Sequence, residues 1–135
     1  MAKKKRKIPQ LIYQYDGVQN SPGYIFVAVN GGDMDTPYHN QSEYMLFIYS
    51  EDFECILPIV KAQFPLVDPS TGETHDRFDP CWDNPIEAKI WHIILAELDQ
   101  LPVQDEEQRQ FIFQFTTWIR TKLENADMII IEGTL

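Results

Sequence analysis

Tyr24-Ile25-Phe26-Val27-Ala28-Val29 is an unbroken apolar run of six residues, stopped by Asn30-Gly31-Gly32-Asp33. A strand with one wet face would alternate polar and apolar residues, so this run predicts a strand buried on both faces. Other strands must complete its sheet, in an order the sequence leaves open. The flanking sequence offers them: Leu11–Tyr15 before it, Tyr44–Tyr49 after it, and Met128–Ile131 near the end of the chain, all rich in β-branched or aromatic residues. Asp16-Gly17 and Ser21-Pro22-Gly23 mark a turn-rich loop between the first two, and the polar stretch Asn30–Ser42 reads as a second loop.

Helical signals lie between these strands. Ser50, with Glu51 and Asp52 behind it, resembles a helix start, because acids in a first turn suit the helix dipole. That helix would run to about Phe64, and Pro58 must kink it or cut it short. Pro65 to Trp82 then reads as a long loop. Asn84-Pro85 followed by Glu87 has the pattern of an N-cap, a first-turn proline and a capping glutamate. It predicts a helix to about Gln100, with Ile86, Ile90, Trp91, Ile94 and Leu98 on its inner face. A further helix is expected from Asp105, with Phe111, Ile112, Phe115, Trp118, Ile119 and Leu123 as its stripe and Arg120 and Lys122 near its end. The expected fold class is therefore α+β: a small, mainly antiparallel sheet with two or three amphipathic helices packed on it. The 135-residue length suits one domain over residues 11–135, preceded by a basic flexible arm over residues 1–10.

Charge is the most informative bulk property. The chain has 11 basic and 21 acidic residues, a formal net charge of −10. Five of the basic residues are consecutive, Lys3 to Lys7; without them the remainder holds six basic and 21 acidic residues, a net of −15. The arm matches a nuclear-localisation pattern in composition, but contact with an anionic surface is the simpler expectation. The acidic body argues against nucleic-acid binding through its own surface and fits a basic protein partner. A chain of 15.8 kDa exposes about 7,300 Å². Spread evenly, the net charge would place only about one or two charges in a partner footprint of roughly 800 Å². Steering a partner therefore requires clustering. The sequence clusters acids twice: Asp68, Glu73, Asp76, Asp79 and Asp83 in the long loop, and Glu97, Asp99, Asp105, Glu106 and Glu107 between the last two helices. Trp82 lies within the first cluster and supplies an aromatic anchor of the kind that dominates interface energy; Tyr38, Tyr44 and Trp91 are the other aromatic candidates.

Chemistry-bearing motifs are weak. His39, His75 and His92 are spaced by 36 and 17 residues, which matches no metal-site pattern. His92 falls on the polar side of its helix. Asn30–Asp33 reads as a turn, since it lacks the Lys of a phosphate loop and carries acids that repel phosphate. Cys55 and Cys81 make no disulfide framework and are expected as reduced, mostly buried thiols in a cytosolic protein. Phe78, Cys81 and Trp82 are expected to anchor the long loop while its aspartates stay wet. No apolar stretch follows the basic cluster, and no run approaches the roughly 20 residues of a membrane span, so neither a secretory signal nor membrane insertion is expected. No cofactor and no metal are expected either.

Phe78-Asp-Pro-Cys-Trp-Asp-Asn-Pro-Ile86 followed by Trp91-His-Ile-Ile94 resembles a segment of small acidic bacterial immunity proteins, the antidotes of polymorphic or contact-dependent growth-inhibition toxins. The likeness spans about 17 residues. It implies a non-enzymatic cytoplasmic protein that binds its cognate toxin domain, nuclease-like and basic, and blocks the toxin's active site. It assigns no individual residue a role. Two other classes fit the residues. A small hydrolase using the His75/Cys81 acidic loop would show a concave pocket joining His75 or His39 to Cys81 or an aspartate. An acidic mimic of nucleic acid would space its carboxylates like phosphates along one face.

Overall fold

A computed structural model describes residues 9–13, 22–29, 45–69 and 71–134. Among these residues the chain order is β1 (Leu11–Tyr13), β2 (Gly23–Val29), β3 (Met45–Tyr49), α1 (Ser50–Phe53), α2 (Leu57–Lys61), β4 (Leu66–Val67), β5 (Thr74–His75), β6 (Asp83–Glu87), α3 (Ala88–Asp99), α4 (Glu106–Leu123) and β7 (Met128–Gly133). The fold is α+β, with a five-stranded antiparallel sheet in the order β1-β3-β2-β7-β6. The Lys3–Lys7 arm, Tyr15, the Asp16-Gly17 turn, the Asn30–Ser42 loop with His39 and Tyr38, and Tyr44 lie outside the described residues.

The six-residue run occupies the middle strand. β2 pairs with β3 on one side and with β7 on the other, so its backbone is satisfied along both edges. Successive side chains point to opposite faces. Tyr24, Phe26 and Ala28 join Leu46, Ile48, Ile86, Ile129 and Ile131 in the core shared with the helices. Val27 and Val29 join Met128 and Ile130 in a second apolar cluster on the other face. Burial on both faces is why no polar residue interrupts the run.

Phe26 sits among the rings of Phe53, Trp91 and Phe115, with centroids 5.3, 6.5 and 5.4 Å away. Aromatic side chains at such tilted geometries add to the stabilisation from area burial. Trp91, fully buried, donates its indole N–H to the Ile129 carbonyl at 3.1 Å, which ties α3 to β7. Phe111, Ile112, Phe115, Trp118 and Ile119 form the buried stripe of α4, and Leu123 lies at its edge.

Several expectations require correction. The helix expected from Asn84 begins at Ala88, and Asn84 and Pro85 belong to β6. β6 is an edge strand paired only with β7, and an edge tolerates proline because its missing N–H need not face a neighbour. Ile86 therefore enters the core from the sheet. The helix expected over 50–64 is two short ones, with Tyr49 rather than Ser50 at the first cap. Pro58 lies in the first turn of α2, where its lack of an N–H costs nothing. The loop from Pro65 contains a small hairpin, β4 with β5. Its turn closes through Asp68 and Gly72, whose φ of 78° suits glycine. Among the described residues, no helix is long and apolar enough to cross a membrane.

Candidate functional site

The segment from Asp79 to Asp83 is held onto the end of the sheet by one side chain. Asn84 is fully buried and in register with Ile131. Its Oδ1 accepts from the Asp79 backbone N–H at 2.7 Å, and the two hydrogens of its Nδ2 serve three carbonyls, those of Asp79, Trp82 and Ile131 at 2.8, 3.0 and 3.1 Å, one hydrogen being shared. Gly133 adds a second tie by donating its N–H to the Trp82 carbonyl at 2.9 Å. The approach there is so close that a Cβ on Gly133 would meet the Pro80 carbonyl oxygen at 2.0 Å. From the other side Phe78, buried, packs its ring against Tyr24 and Phe64 at 5.7 and 6.0 Å. The Asp79 carboxylate accepts from the Cys81 backbone N–H at 2.8 Å, closing the turn.

The product is an anchored loop that presents Trp82 with 70% of its surface exposed. Its expected role as a core anchor is wrong, as is that of Cys81, which is an exposed thiol; Phe78 alone does that work. The backbone bonds explain the difference: they hold the loop at Trp82's carbonyl and leave its indole outside. Cys55 is half-buried, and burial, the leading cause, pushes its thiol above the ordinary value.

Beside Trp82 lies an open hollow of about 500 Å³, lined by His75, Asp76, Arg77, Phe78, Asp79, Pro80, Trp82 and Asp83. Asp76, Asp79 and Asp83 are exposed, and Arg77 is the cationic member of the lining. The hollow thus joins His75 to aspartates but is not lined by Cys81. His75 Nε2 is shut away from solvent and, among the described residues, has no hydrogen-bond partner. Among the described residues, no group of three or more His, Cys, Asp or Glu side chains could hold a metal ion.

The other expected acids are placed differently. Asp68 is buried, against the expectation that it stays wet: it forms the hairpin turn, its carbonyl accepting from Gly72 N–H and its own N–H donating to the Glu73 carbonyl, both at 2.8 Å. Glu73 is exposed on that turn. In the second cluster Glu97 accepts from the Gln63 side chain at 3.0 Å, Asp99 pairs with Arg120, and Glu106 pairs with Arg109 at 2.9 Å. Asp105 caps α4 by accepting from the Glu107 N–H at 3.2 Å, and Glu107 is exposed. This corner therefore directs much of its acidity to local partners. His92 is exposed, on the outer side of α3 as expected.

Two features escaped the sequence. The sequence around Asn84 has the pattern of a helix cap, and a buried clamp uses the same amide groups. Phe113 is 68% exposed on α4 between shallow hollows of about 480 and 210 Å³. Its signal was present, since it is the one aromatic residue of α4 that falls off the apolar stripe. Comparison of the chain with protein-family models, with curated proteins and with solved structures finds no match.

Proposed function

We propose that the chain is a protein-binding module that docks a basic protein on the Trp82 face, and that it serves as a cytoplasmic immunity protein neutralising a nuclease-like toxin domain. One observation carries this: a largely exposed tryptophan stands on a loop fixed by a fully buried asparagine, with three exposed carboxylates around the same hollow. An exposed indole is costly to keep in water, and tryptophan is the residue type most enriched at interface hot spots. Fixing its loop in advance removes an ordering cost from association. The carboxylates speed encounter with a basic surface and reject acidic ones. The resemblance over residues 78–94 falls on this same segment and points to the antidote role.

Co-expression tests the proposal. The protein encoded beside this chain should arrest growth when expressed alone and lose that effect when this chain is present. The Trp82→Ala variant, whose change is at a side chain 70% exposed, should fail to protect. Absence of any such partner, together with substrate turnover by the purified chain, would contradict it.

A further inference from the structure

Resting on the proposal that the Trp82 face docks a basic protein, we infer that the hollow beside Trp82 takes an arginine side chain of that partner in preference to a lysine. The lining offers two different surfaces to a cation. One is the indole of Trp82, flat, apolar and mostly exposed. The other is carboxylate: Asp79 and Asp83 flank Trp82 within three residues, and Asp76 lies on the same hollow. Three carboxylates against the one guanidinium of Arg77 leave the lining at −2. Asp79 is already oriented, because one of its oxygens accepts the Cys81 N–H at 2.8 Å. Asp76 and Asp83 are exposed on the lining, where an incoming cation can reach them.

A guanidinium uses both surfaces at once. It is planar, so it stacks on an indole face while its edge donates paired hydrogen bonds to a carboxylate. It is also weakly hydrated and gives up water readily. An ammonium is a compact, strongly hydrated point charge that gains from the carboxylates but little from the flat ring. Stacking belongs to Trp82 alone and adds to the preference that paired hydrogen bonds to a carboxylate already give a guanidinium. The two ties at its carbonyl, from Asn84 and Gly133, fix the backbone from which the indole projects.

The test uses the full chain with capped hexa-arginine and hexa-lysine peptides at low ionic strength. Binding is read by titration calorimetry and by acrylamide quenching of tryptophan emission. Quenching reports Trp82 selectively, because Trp91 is 0% and Trp118 8% exposed against 70% for Trp82. Hexa-arginine should bind about three- to five-fold tighter than hexa-lysine, the size of an exposed cation–π contribution, and should shield Trp82 from acrylamide. Trp82→Ala should lower that ratio by about three-fold, the stacking share, while leaving hexa-lysine affinity nearly unchanged. Asp79→Asn with Asp83→Asn should weaken both peptides. Equal binding of the two peptides by the native chain, or a preference that Trp82→Ala leaves undiminished, overturns the inference and leaves the basic-partner proposal standing. Failure of both peptides to bind contradicts that proposal, and the inference with it.

Discussion

Asn84 spends every polar atom of its side chain on the backbone around it. Replacing it with alanine leaves the carbonyls of Asp79, Trp82 and Ile131 and the Asp79 N–H without that partner, the Ile131 bond being fully buried and the others partly so. Asn84→Ala should therefore lower unfolding free energy by about 2–3 kcal/mol, measured by urea denaturation. It should also raise hydrogen exchange at the Cys81 and Gly133 amides well above that of the core strands. Trp82→Ala should stay within about 0.5 kcal/mol of the native chain, as surface changes do. The pair separates the residue that builds the surface from the residue that uses it. At this scale the sequence was least legible. Asn-Pro with a following glutamate is the same text for a helix start and for a clamped edge strand. Only the position of β7 decides between them.

The elements divide by how strongly their local pattern is tied to their environment. β2 and α4 were legible because six apolar residues, or a stripe from Phe111 to Leu123 over more than three turns, admit few environments. The start of α3 and the β4–β5 hairpin were not, since a five-residue edge strand and two two-residue strands exist through their partners rather than their own propensity. The same distinction sorts the two acidic clusters. Asp105 holds the first turn of α4, with Glu106 and Glu107 behind it. Asp105→Ala should thus cost about 1 kcal/mol of stability, the usual value of a lost cap, and leave affinity for a basic partner unchanged. Thermal denaturation and a binding titration on one sample check both halves. Half of the candidate site was readable as a cluster of acids around Trp82. Its rigidity was not, because the bonds that fix it come from Asn84 and Gly133, the latter 51 residues after Trp82 in the chain.

Across the whole molecule the interior carries a pH signature distinct from the surface. Burial raises the Tyr24 phenol above its ordinary 10.0, with Cys81 and Glu54 adding to the rise, and burial raises the Cys55 thiol above 9.0. Both groups keep their protons longer when folded than when unfolded. Their stabilising contribution is complete below the unfolded values and is lost as pH rises past them. Unfolding free energy should therefore fall above about pH 9, and Tyr24→Phe should remove part of that fall without altering stability near pH 7. Denaturant titrations from pH 7 to 11 read the effect. The surface works through charge instead. With a net of −15 outside the Lys3–Lys7 arm, the exposed acids at Trp82 must be concentrated enough to steer a partner, and long-range steering is screened by salt. The most direct measurement is the affinity of the neighbour-encoded basic partner for the native chain and for Asp76→Lys/Asp79→Lys/Asp83→Lys, followed over a series of salt concentrations. Loss of about 100-fold or more in affinity, with a flattened salt dependence, is the predicted result; unchanged affinity and an unchanged salt slope would contradict the assignment of the Trp82 face as the docking surface.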